Sequence, residues 1–287
     1  MLLKRFLEEG TASLEALYPR DEARGIVQML CEHHLGVKSY THIVEPEYSV
    51  DGVSLSELES AMERLRRGEP IQYVLGECEF YSRRFHVSPA VLIPRPETEL
   101  LCREALKLIG PSSKVLDLCT GSGCIAWTLA LSSPGTKVIG VDISEAALDI
   151  AWGQEFELPV GALAPSFVRA DILDFNSVFA SGSFDLIVSN PPYIMNREKE
   201  LMRTNVLAYE PSIALFVPDE DPLLFYRAIA HWADRLLSPG GKGLVEINEA
   251  LGEETAEVFR SSSFRFVSVC PDFFDKNRYI LFSRQAL

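Results

Sequence analysis

The tetrapeptide Asn190-Pro191-Pro192-Tyr193 combines residue types that suit the binding of a reacting nitrogen. It follows an apolar run at 184–189, and ligands of open α/β sheets bind outside the carboxyl ends of the strands. Two successive prolines stiffen the backbone and remove two N–H donors, so neighbouring carbonyls can face a ligand. We expect the Asn190 side-chain oxygen and the Pro191 carbonyl to accept both N–H groups of a substrate –NH2, with the Tyr193 ring packed against it. The alternative is that these residues form only a turn.

A second cluster, at 117–123, predicts a nucleotide-type binding site. Its small residues follow an apolar run and lead into a predicted helix, so the backbone can approach a ligand and helix N–H groups face it. Asp142 ends the next predicted strand about 20 residues after Gly121, where a carboxylate can accept hydrogen bonds from ribose hydroxyls. Asp171 ends the third predicted strand and either accepts from an adenine amino group or caps a helix. A nicotinamide-dependent dehydrogenase and a turn that binds no ligand are the alternatives for these glycines.

The elements that must position these residues begin at position 114. Short apolar runs alternate there with helical segments, one of them at 222–237, which predicts a parallel sheet with helices on both faces. The last two apolar runs are separated by only six residues, Pro-Asp-Phe-Phe-Asp-Lys, too few for a helical crossover. We therefore expect the last two strands to pair antiparallel.

The first part of the chain has a helical pattern. Apolar residues at helical spacing predict one helix over 21–35, and a capping box of Ser54 and Glu57 predicts the start of a second. Residues 76–94 are aromatic and β-branched, which indicates a hairpin, and Pro96 opens a helix that runs to about Ile109. The predicted organisation is a small helical domain at 1–75, a β-hairpin linker at 76–95 and a catalytic domain at 96–287.

The net charge and the spacing of cysteines and histidines argue against nucleic-acid binding and metal binding. Lys and Arg number 27 against 41 Asp and Glu, a formal net charge of -14, whereas proteins that bind nucleic acid duplexes usually carry a basic surface. The six cysteines and five histidines show no metal-ligand or disulfide spacing, so no metal is predicted. The first residues lack a signal-peptide core and no apolar run is long enough for a membrane span. We expect a soluble, cytoplasmic protein that acts as a monomer.

These residues resemble the class I methyltransferases that modify amide or exocyclic nitrogens and, more narrowly, the release factor glutamine methyltransferase family (PrmC/HemK). The narrower resemblance covers nearly the whole chain. Its marks are the segments 70–81, 91–99 (VLIPRPETE), 115–126 (VLDLCTGSGCIA), 141–144, 184–194 (FDLIVSNPPYI) and Glu210-Pro211. The pair IPRPETE and SNPPYI is highly specific.

The resemblance implies a Rossmann-like sheet of seven strands, mostly parallel, and a helical N-terminal domain that grips a protein substrate. That substrate would be a class 1 peptide chain release factor, methylated on the glutamine of its Gly-Gly-Gln motif in translation termination, with S-adenosylmethionine as methyl donor. The loop 95–99 should lie near the site. Residues Asn190 to Tyr193 would contact the glutamine. The sequence pattern and the resemblance together give these expected cofactor contacts: Asp117, Cys119, Thr120, Gly121, Ser122, Gly123, Asp142, Asp171, Ile172 and Asn190.

Three positions depart from the family pattern: Cys119 and Asn248 stand where glycine is usual, and Gln154 where asparagine is usual. We expect none of the three to touch the 190–193 loop. A glutamine methyltransferase of a ribosomal protein would share that loop, and the sequence separates the two substrates poorly. A nucleic-acid amino-methyltransferase also uses such a loop, but the charge of -14 counts against it. A cofactor-binding module without activity would have no use for the loop.

Overall fold

The computed structural model describes residues 1–174 and 179–285. The chain divides into two compact units that are not continuous in sequence. The first contains Met1–Glu77 together with Arg203–Tyr209, and the second contains Cys78–Met202 and Glu210–Leu287. A short segment from the later part of the chain thus belongs to the helical unit.

The first unit is built from helices around an apolar core. Its described helices are α1 (Leu3–Leu14), α2 (Arg20–Leu35), α3 (Thr41–Val44), α4 (Gly52–Arg66) and α5 (Ile71–Leu75), and α9 (Thr204–Tyr209) joins them from later in the chain. Leucines at helical spacing fill the core, because burying one apolar stripe of each helix removes it from water. Among the fully buried ones are Leu14, Leu30, Leu58 and Leu65.

The predicted capping box of α4 is wrong. Asp51 is the N-cap residue, and its carboxylate accepts the N–H groups of Val53 and Ser54 at 2.9 and 3.0 Å. Ser54 lies inside the first turn and donates its hydroxyl to Asp51. An aspartate takes this position readily because its charge also interacts favourably with the helix dipole.

The second unit contains a sheet of seven strands. In chain order its strands are β3 (Lys114–Leu118), β4 (Lys137–Asp142), β5 (Ser166–Arg169), β6 (Phe184–Ser189), β9 (Leu237–Glu246), β10 (Phe266–Pro271) and β11 (Asn277–Ser283). Their order across the sheet is β10-β11-β9-β6-β3-β4-β5. β11 pairs antiparallel with both neighbours, whereas the other pairs are parallel. The predicted fold class is confirmed, including the antiparallel pairing of the last two strands.

Helices cover both faces of this sheet. α6 (Pro96–Leu108), α7 (Cys124–Ser132) and α8 (Glu145–Trp152) pack on one face, and α10 (Leu224–Leu236) and α11 (Gly252–Arg260) pack on the other. Successive strand residues point to opposite faces. Val115 therefore belongs to the apolar cluster that contains α6, α7 and α8, and Leu116 belongs to the one that contains α10 and α11. Both faces of the central strands are therefore buried, as the continuous apolar runs predicted.

Two small strand pairs lie outside the seven-stranded sheet. β1 (Glu77–Phe80) and β2 (Arg83–His86) form a two-stranded sheet within the predicted hairpin region. β7 (Ile194–Met195) follows the 190–193 loop and pairs in parallel with β8 (Phe216–Val217). The second pair holds the outgoing end of that loop.

Candidate active site

A cavity of about 250 Å³ lies at the carboxyl edge of the parallel sheet, where β3, β4 and β6 end. This is the edge at which open α/β sheets bind their ligands. Asp117, Gly123, Pro191 and Tyr193 are not among the described residues that line it. The other residues singled out from the sequence do line it: Cys119, Thr120, Gly121, Ser122, Asp142, Asp171, Ile172, Asn190 and Pro192.

The turn between β3 and α7 brings its backbone to the cavity. Gly121 and Gly123 have φ angles of 55° and 77°, in the left-handed region that glycine adopts without steric cost. Cys119 has a φ of 60°, so the family's usual glycine is replaced by a residue that adopts this conformation less readily. A Cβ atom at Gly121 would meet nothing within 4 Å. The backbone there is thus open to a ligand.

Two carboxylates, the buried Asp117 and the half-buried Asp142, hold this turn. Asp142 accepts the N–H groups of Gly121 at 2.8 Å and Ser144 at 3.0 Å, and Asp117 accepts the Thr120 hydroxyl at 2.6 Å. Burial raises the pKa of Asp142, and it raises the pKa of Asp117 to about 7. Each carboxylate oxygen has a second lone pair, so Asp142 retains acceptor capacity toward the cavity. Its position suits hydroxyl groups of a ligand.

The segment after β5 forms another part of the wall. Asp171 accepts the N–H of Leu173 at 2.8 Å, and Ile172 is buried with its carbonyl accepting the Trp232 indole at 2.9 Å. α10 therefore anchors this segment. An acceptor and an apolar side chain side by side suit a flat heterocycle with an amino group.

The 190–193 loop is tied down at both ends by side-chain hydrogen bonds. The Asn190 amide nitrogen donates to the Thr98 hydroxyl at 3.0 Å, and the Tyr193 hydroxyl donates to Glu246 at 3.0 Å. Pro191 and Pro192 are buried between them. The loop is rigid because its prolines and both of its end side chains are held.

Glu246 and Thr98 are site residues that sequence reasoning missed. Thr98 donates its hydroxyl to Glu246 at 2.8 Å, and both residues are buried. Burial raises the pKa of Glu246 and of Tyr193, although the hydrogen bonds from Thr98 and Tyr193 act in the opposite direction on Glu246. The sequence held two signals for these residues. Glu246 is a charged residue at the end of an apolar strand, and Thr98 lies inside the marked segment IPRPETE.

The segment 95–99 lies near the cavity, as the resemblance implied, but it forms the N-cap and first turn of α6 and is not a loop. Arg95 and Thr98 line it, and the Arg95 guanidinium lies 2.6 Å from the carboxylate of Glu210. Glu210 also accepts the N–H of Ile93 at 3.2 Å, and Glu99 accepts the N–H of Tyr81 at 2.8 Å. The acidic residues of these two marked segments therefore hold the backbone around the site.

The expectation that no departing position touches the 190–193 loop is wrong for Asn248. Its amide nitrogen donates to the Tyr193 carbonyl at 3.3 Å and to Glu198 at 3.1 Å. A glycine has no side chain to make this bridge, which is why the family pattern did not suggest it. Gln154 instead bonds the backbone of His86 in β2 and the Ser122 carbonyl. It joins β2 to the turn after β3.

No cluster of three His, Cys, Asp or Glu side chains within residues 1–174 and 179–285 has a geometry that could hold a metal ion. Across the same residues, every helix is too short or too polar to cross a bilayer.

Family models match both parts of the chain. Residues 5–76 match a model described as the PrmC N-terminal domain, and residues 109–261 match one described as a methyltransferase domain. These two matches fall on the helical unit and on the sheet that forms the cavity.

Curated relatives match over nearly the full length. A release factor glutamine methyltransferase of Bacteroides thetaiotaomicron is 42% identical, covering 95% of this chain and 96% of its own. A protein of the same name from Flavobacterium psychrophilum is 36% identical, covering 98% of both. A solved structure of a release factor-specific protein-(glutamine-N5) methyltransferase from Alicyclobacillus acidocaldarius is 30% identical, with a TM-score of 0.42, over 70% of this chain and 100% of its own.

Proposed function

The chain belongs to the release factor glutamine methyltransferase family, and we propose that it methylates the side-chain amide nitrogen of the glutamine in the Gly-Gly-Gln motif of class 1 peptide chain release factors. It is a methyltransferase, so the dehydrogenase alternative for the glycine-rich turn is set aside. The observation that carries the proposal is the position of Asn190. It lines the same cavity as Asp142, with its side-chain nitrogen bonded to Thr98 and its oxygen left to accept.

The residues of the cavity fit S-adenosylmethionine. Asp142 would accept the ribose hydroxyls, Asp171 and Ile172 would contact the adenine, and the open backbone at Gly121 would lie against the methionine part. The remaining predicted contacts that line the cavity are Cys119, Thr120 and Ser122, whereas Asp117 and Gly123 would support the turn from behind. When bound, the cofactor would supply an electrophilic methyl group on its sulfonium sulfur; transfer to the nitrogen would break the S–C bond and leave the neutral thioether S-adenosylhomocysteine.

Asn190 and Pro191 would orient the substrate amide. An amide nitrogen is a poor nucleophile because its lone pair is delocalised, as the barrier to amide rotation of about 18–20 kcal/mol shows. Acceptance of both N–H groups by the Asn190 oxygen and the Pro191 carbonyl favours positive charge on the nitrogen as its bond to carbon forms. The same two hydrogen bonds hold the nitrogen in line for attack. One N–H proton then leaves to solvent.

The Tyr193 ring remains a predicted contact for the flat amide group. Its hydroxyl is committed to Glu246, so any contact with substrate must come from the ring. Because Tyr193 is not among the described residues that line the cavity, the contact between its ring and the substrate amide would lie outside that cavity.

The test is to incubate the purified protein with S-adenosylmethionine and an unmethylated release factor and to map any added methyl group by peptide mass spectrometry. The matched control is the same factor with the Gly-Gly-Gln glutamine replaced by alanine. We expect one methyl group on that glutamine and none on the control. A methyl group found instead on a ribosomal protein would keep the chemistry and reject the substrate. No transfer to either would reject the proposed function.

A further inference from the structure

Thr98 and Asn190, which both line the cavity, form a chain of hydrogen bonds with Glu246. The Thr98 hydroxyl lies 2.8 Å from a carboxylate oxygen of Glu246 and 3.0 Å from the side-chain nitrogen of Asn190. Thr98 is 2% exposed and Glu246 is 1% exposed, so water does not compete for these bonds. The three residues come from the first turn of α6, the end of β9 and the loop after β6.

The chemistry of the three groups determines the direction of each bond. The Thr98 and Tyr193 hydroxyls both donate to Glu246, and these two bonds stabilise its ionised form, which only accepts. In that form the Thr98 hydroxyl gives its single proton to Glu246. The hydroxyl oxygen can then only accept from Asn190, which requires the amide NH2 of Asn190 to face Thr98. The oxygen of Asn190 is consequently the atom left for the cavity.

This direction matters because the two ends of an asparagine amide have nearly the same shape and opposite hydrogen-bonding character. With the oxygen toward the cavity, Asn190 accepts an N–H of a substrate –NH2. With the nitrogen toward the cavity, two N–H groups would face the substrate's N–H groups, and the contact would be repulsive. Packing alone distinguishes these two states poorly, whereas a donor chain that ends on a carboxylate distinguishes them well.

We propose that Thr98 and Glu246 are positioning residues for methyl transfer, which fix the side-chain oxygen of Asn190 toward the substrate nitrogen. The proposal rests on the proposed function, because it gives Asn190 the role of acceptor described there. Glu246 acts on both ends of the loop, since its second oxygen accepts the Tyr193 hydroxyl. One buried carboxylate thus orients the Thr98 hydroxyl and also holds Tyr193 in place.

The first experiment compares Thr98→Val, Thr98→Ser and Asn190→Ala in methyl transfer to the release factor, with cofactor affinity measured for each. Valine keeps the shape of threonine and removes the hydroxyl, and we expect kcat to fall on the order of 10- to 100-fold, the range for loss of a supporting hydrogen bond. Serine restores the hydroxyl and should recover most of that loss. The matched control is Thr255→Val, whose buried hydroxyl has no hydrogen-bond partner among the described residues. A Thr98→Val enzyme as fast as wild type would overturn the proposal.

Glu246→Gln tests the direction of the chain with almost no change of shape. If the glutamine oxygen keeps the Tyr193 hydroxyl, its NH2 donates to Thr98 and no longer accepts the Thr98 proton. That proton is then free to point to Asn190, which favours the flipped amide with its oxygen turned away from the cavity. We expect kcat to fall at least as far as in Thr98→Val, while the melting temperature stays near that of wild type. A well-folded Glu246→Gln enzyme with unchanged kcat would contradict the mechanism.

A double variant separates positioning from a general structural role. If Thr98 acts through Asn190, then Thr98→Val should cost little more once Asn190→Ala has removed the acceptor, so the double variant should match Asn190→Ala. Losses that multiply would show that Thr98 acts by another route.

The last measurement does not depend on the substrate. In ¹⁵N-labelled protein, the Asn190 side-chain NH2 signals, identified by their absence in Asn190→Ala, should shift strongly in Thr98→Val and much less in Thr98→Ser. If the wild-type enzyme methylates no release factor but these signals behave as expected, the proposed function fails and the positioning chain stands. If the signals do not respond to Thr98→Val, the positioning chain is wrong whatever the substrate.

Discussion

The guanidinium of Arg95, which lines the cavity, lies 2.6 Å from the carboxylate of Glu210, 115 positions away in sequence. The Glu210 side chain is 1% exposed and that of Arg95 is 34% exposed. Glu210 also holds the backbone N–H of Ile93. The pair therefore ties the IPRPETE segment to the Glu210-Pro211 step, two marks of the family that lie on opposite sides of the 190–193 loop in sequence.

Arg95→Met should destabilise the protein by about 3 kcal/mol, because it leaves the buried carboxylate of Glu210 without its counter-ion. Urea unfolding measures the effect. The matched control is Arg227→Met, which breaks an exposed pair with Asp221 and should cost at most about 1 kcal/mol. Adding Glu210→Gln to Arg95→Met should recover part of the loss. Equal losses for the two arginine variants would show that burial of Glu210 has no energetic consequence.

Asn190→Ala should keep the affinity for S-adenosylmethionine within a few-fold and lower kcat on the order of 10²–10³-fold, the scale of removing one preorganised contact to a developing charge. Calorimetry of cofactor binding and single-turnover methylation give the two quantities. Asn196→Ala, at an exposed position shortly after the loop, is the control and should change neither. A wild-type rate for Asn190→Ala would reject the role of its side-chain oxygen.

Tyr193→Phe should lower the free energy of unfolding by roughly 1–2 kcal/mol, because Glu246 remains buried and loses one of its two side-chain donors. The variant should also raise the pKa of Glu246 further, since the lost bond stabilises the charged form. Denaturant unfolding at neutral pH is the measurement. Tyr40→Phe, at a side chain that is 56% exposed, should change stability by less than about 0.5 kcal/mol.

Gly140→Ala should disturb the cofactor turn from below. A Cβ atom at Gly140 would lie 2.5 Å from the Phe167 ring and 2.7 Å from the Thr120 hydroxyl, so both must move. We expect a loss of about 1–3 kcal/mol in stability and weaker cofactor binding, because Thr120 belongs to the turn that lines the cavity. Gly25→Ala is the control: it meets nothing within 4 Å, and alanine inside α2 should stabilise slightly. Unchanged cofactor affinity in Gly140→Ala would contradict this coupling.

Asp117 should make stability depend on pH. Burial raises its pKa to about 7, whereas an unfolded aspartate titrates near about 3.9. The folded state therefore binds the proton more tightly, and this contribution to stability is complete below about pH 4 and is lost as the pH rises to about 7. In the cofactor-free protein, Asp117→Asn should remove this dependence. Thermal unfolding from pH 4 to 8 should show wild type falling relative to the variant, and parallel curves would contradict the raised pKa.

The central sheet was accessible from sequence because its signals are local. The runs at 114–118, 137–142 and 184–189 are mostly apolar, and strands buried on both faces have this pattern. Weaker elements were missed for the opposite reason. α11 was not predicted, and β7 and β8 have two residues each, so their pairing depends on contacts between distant parts of the chain.

Some residues of the site could be recognised from the sequence and others could not, again because some signals are local and others depend on distant contacts. Residues that meet a ligand directly stand next to glycines and prolines, whose backbone requirements are visible in sequence, as at Gly121 and Asn190. Glu246 and Thr98 carry no such mark, because a buried carboxylate is recognisable only when its donors are known and those come from positions 98 and 193. Asn248 shows a further limit, since a departure from a family pattern does not reveal which partner the new side chain finds.

The membership of α9 in the helical unit bears on how the protein can be divided into fragments. Arg203 pairs with Glu22, and the Tyr209 hydroxyl donates to the Arg67 carbonyl, so this helix contributes contacts that a gene fragment ending at residue 77 would not encode. A truncation that removes the first 77 residues would leave the same helix without those partners. Expression of either unit alone therefore requires residues 203–209 to be transferred with the helical part and the remaining chain to be rejoined, as one would do for an inserted domain.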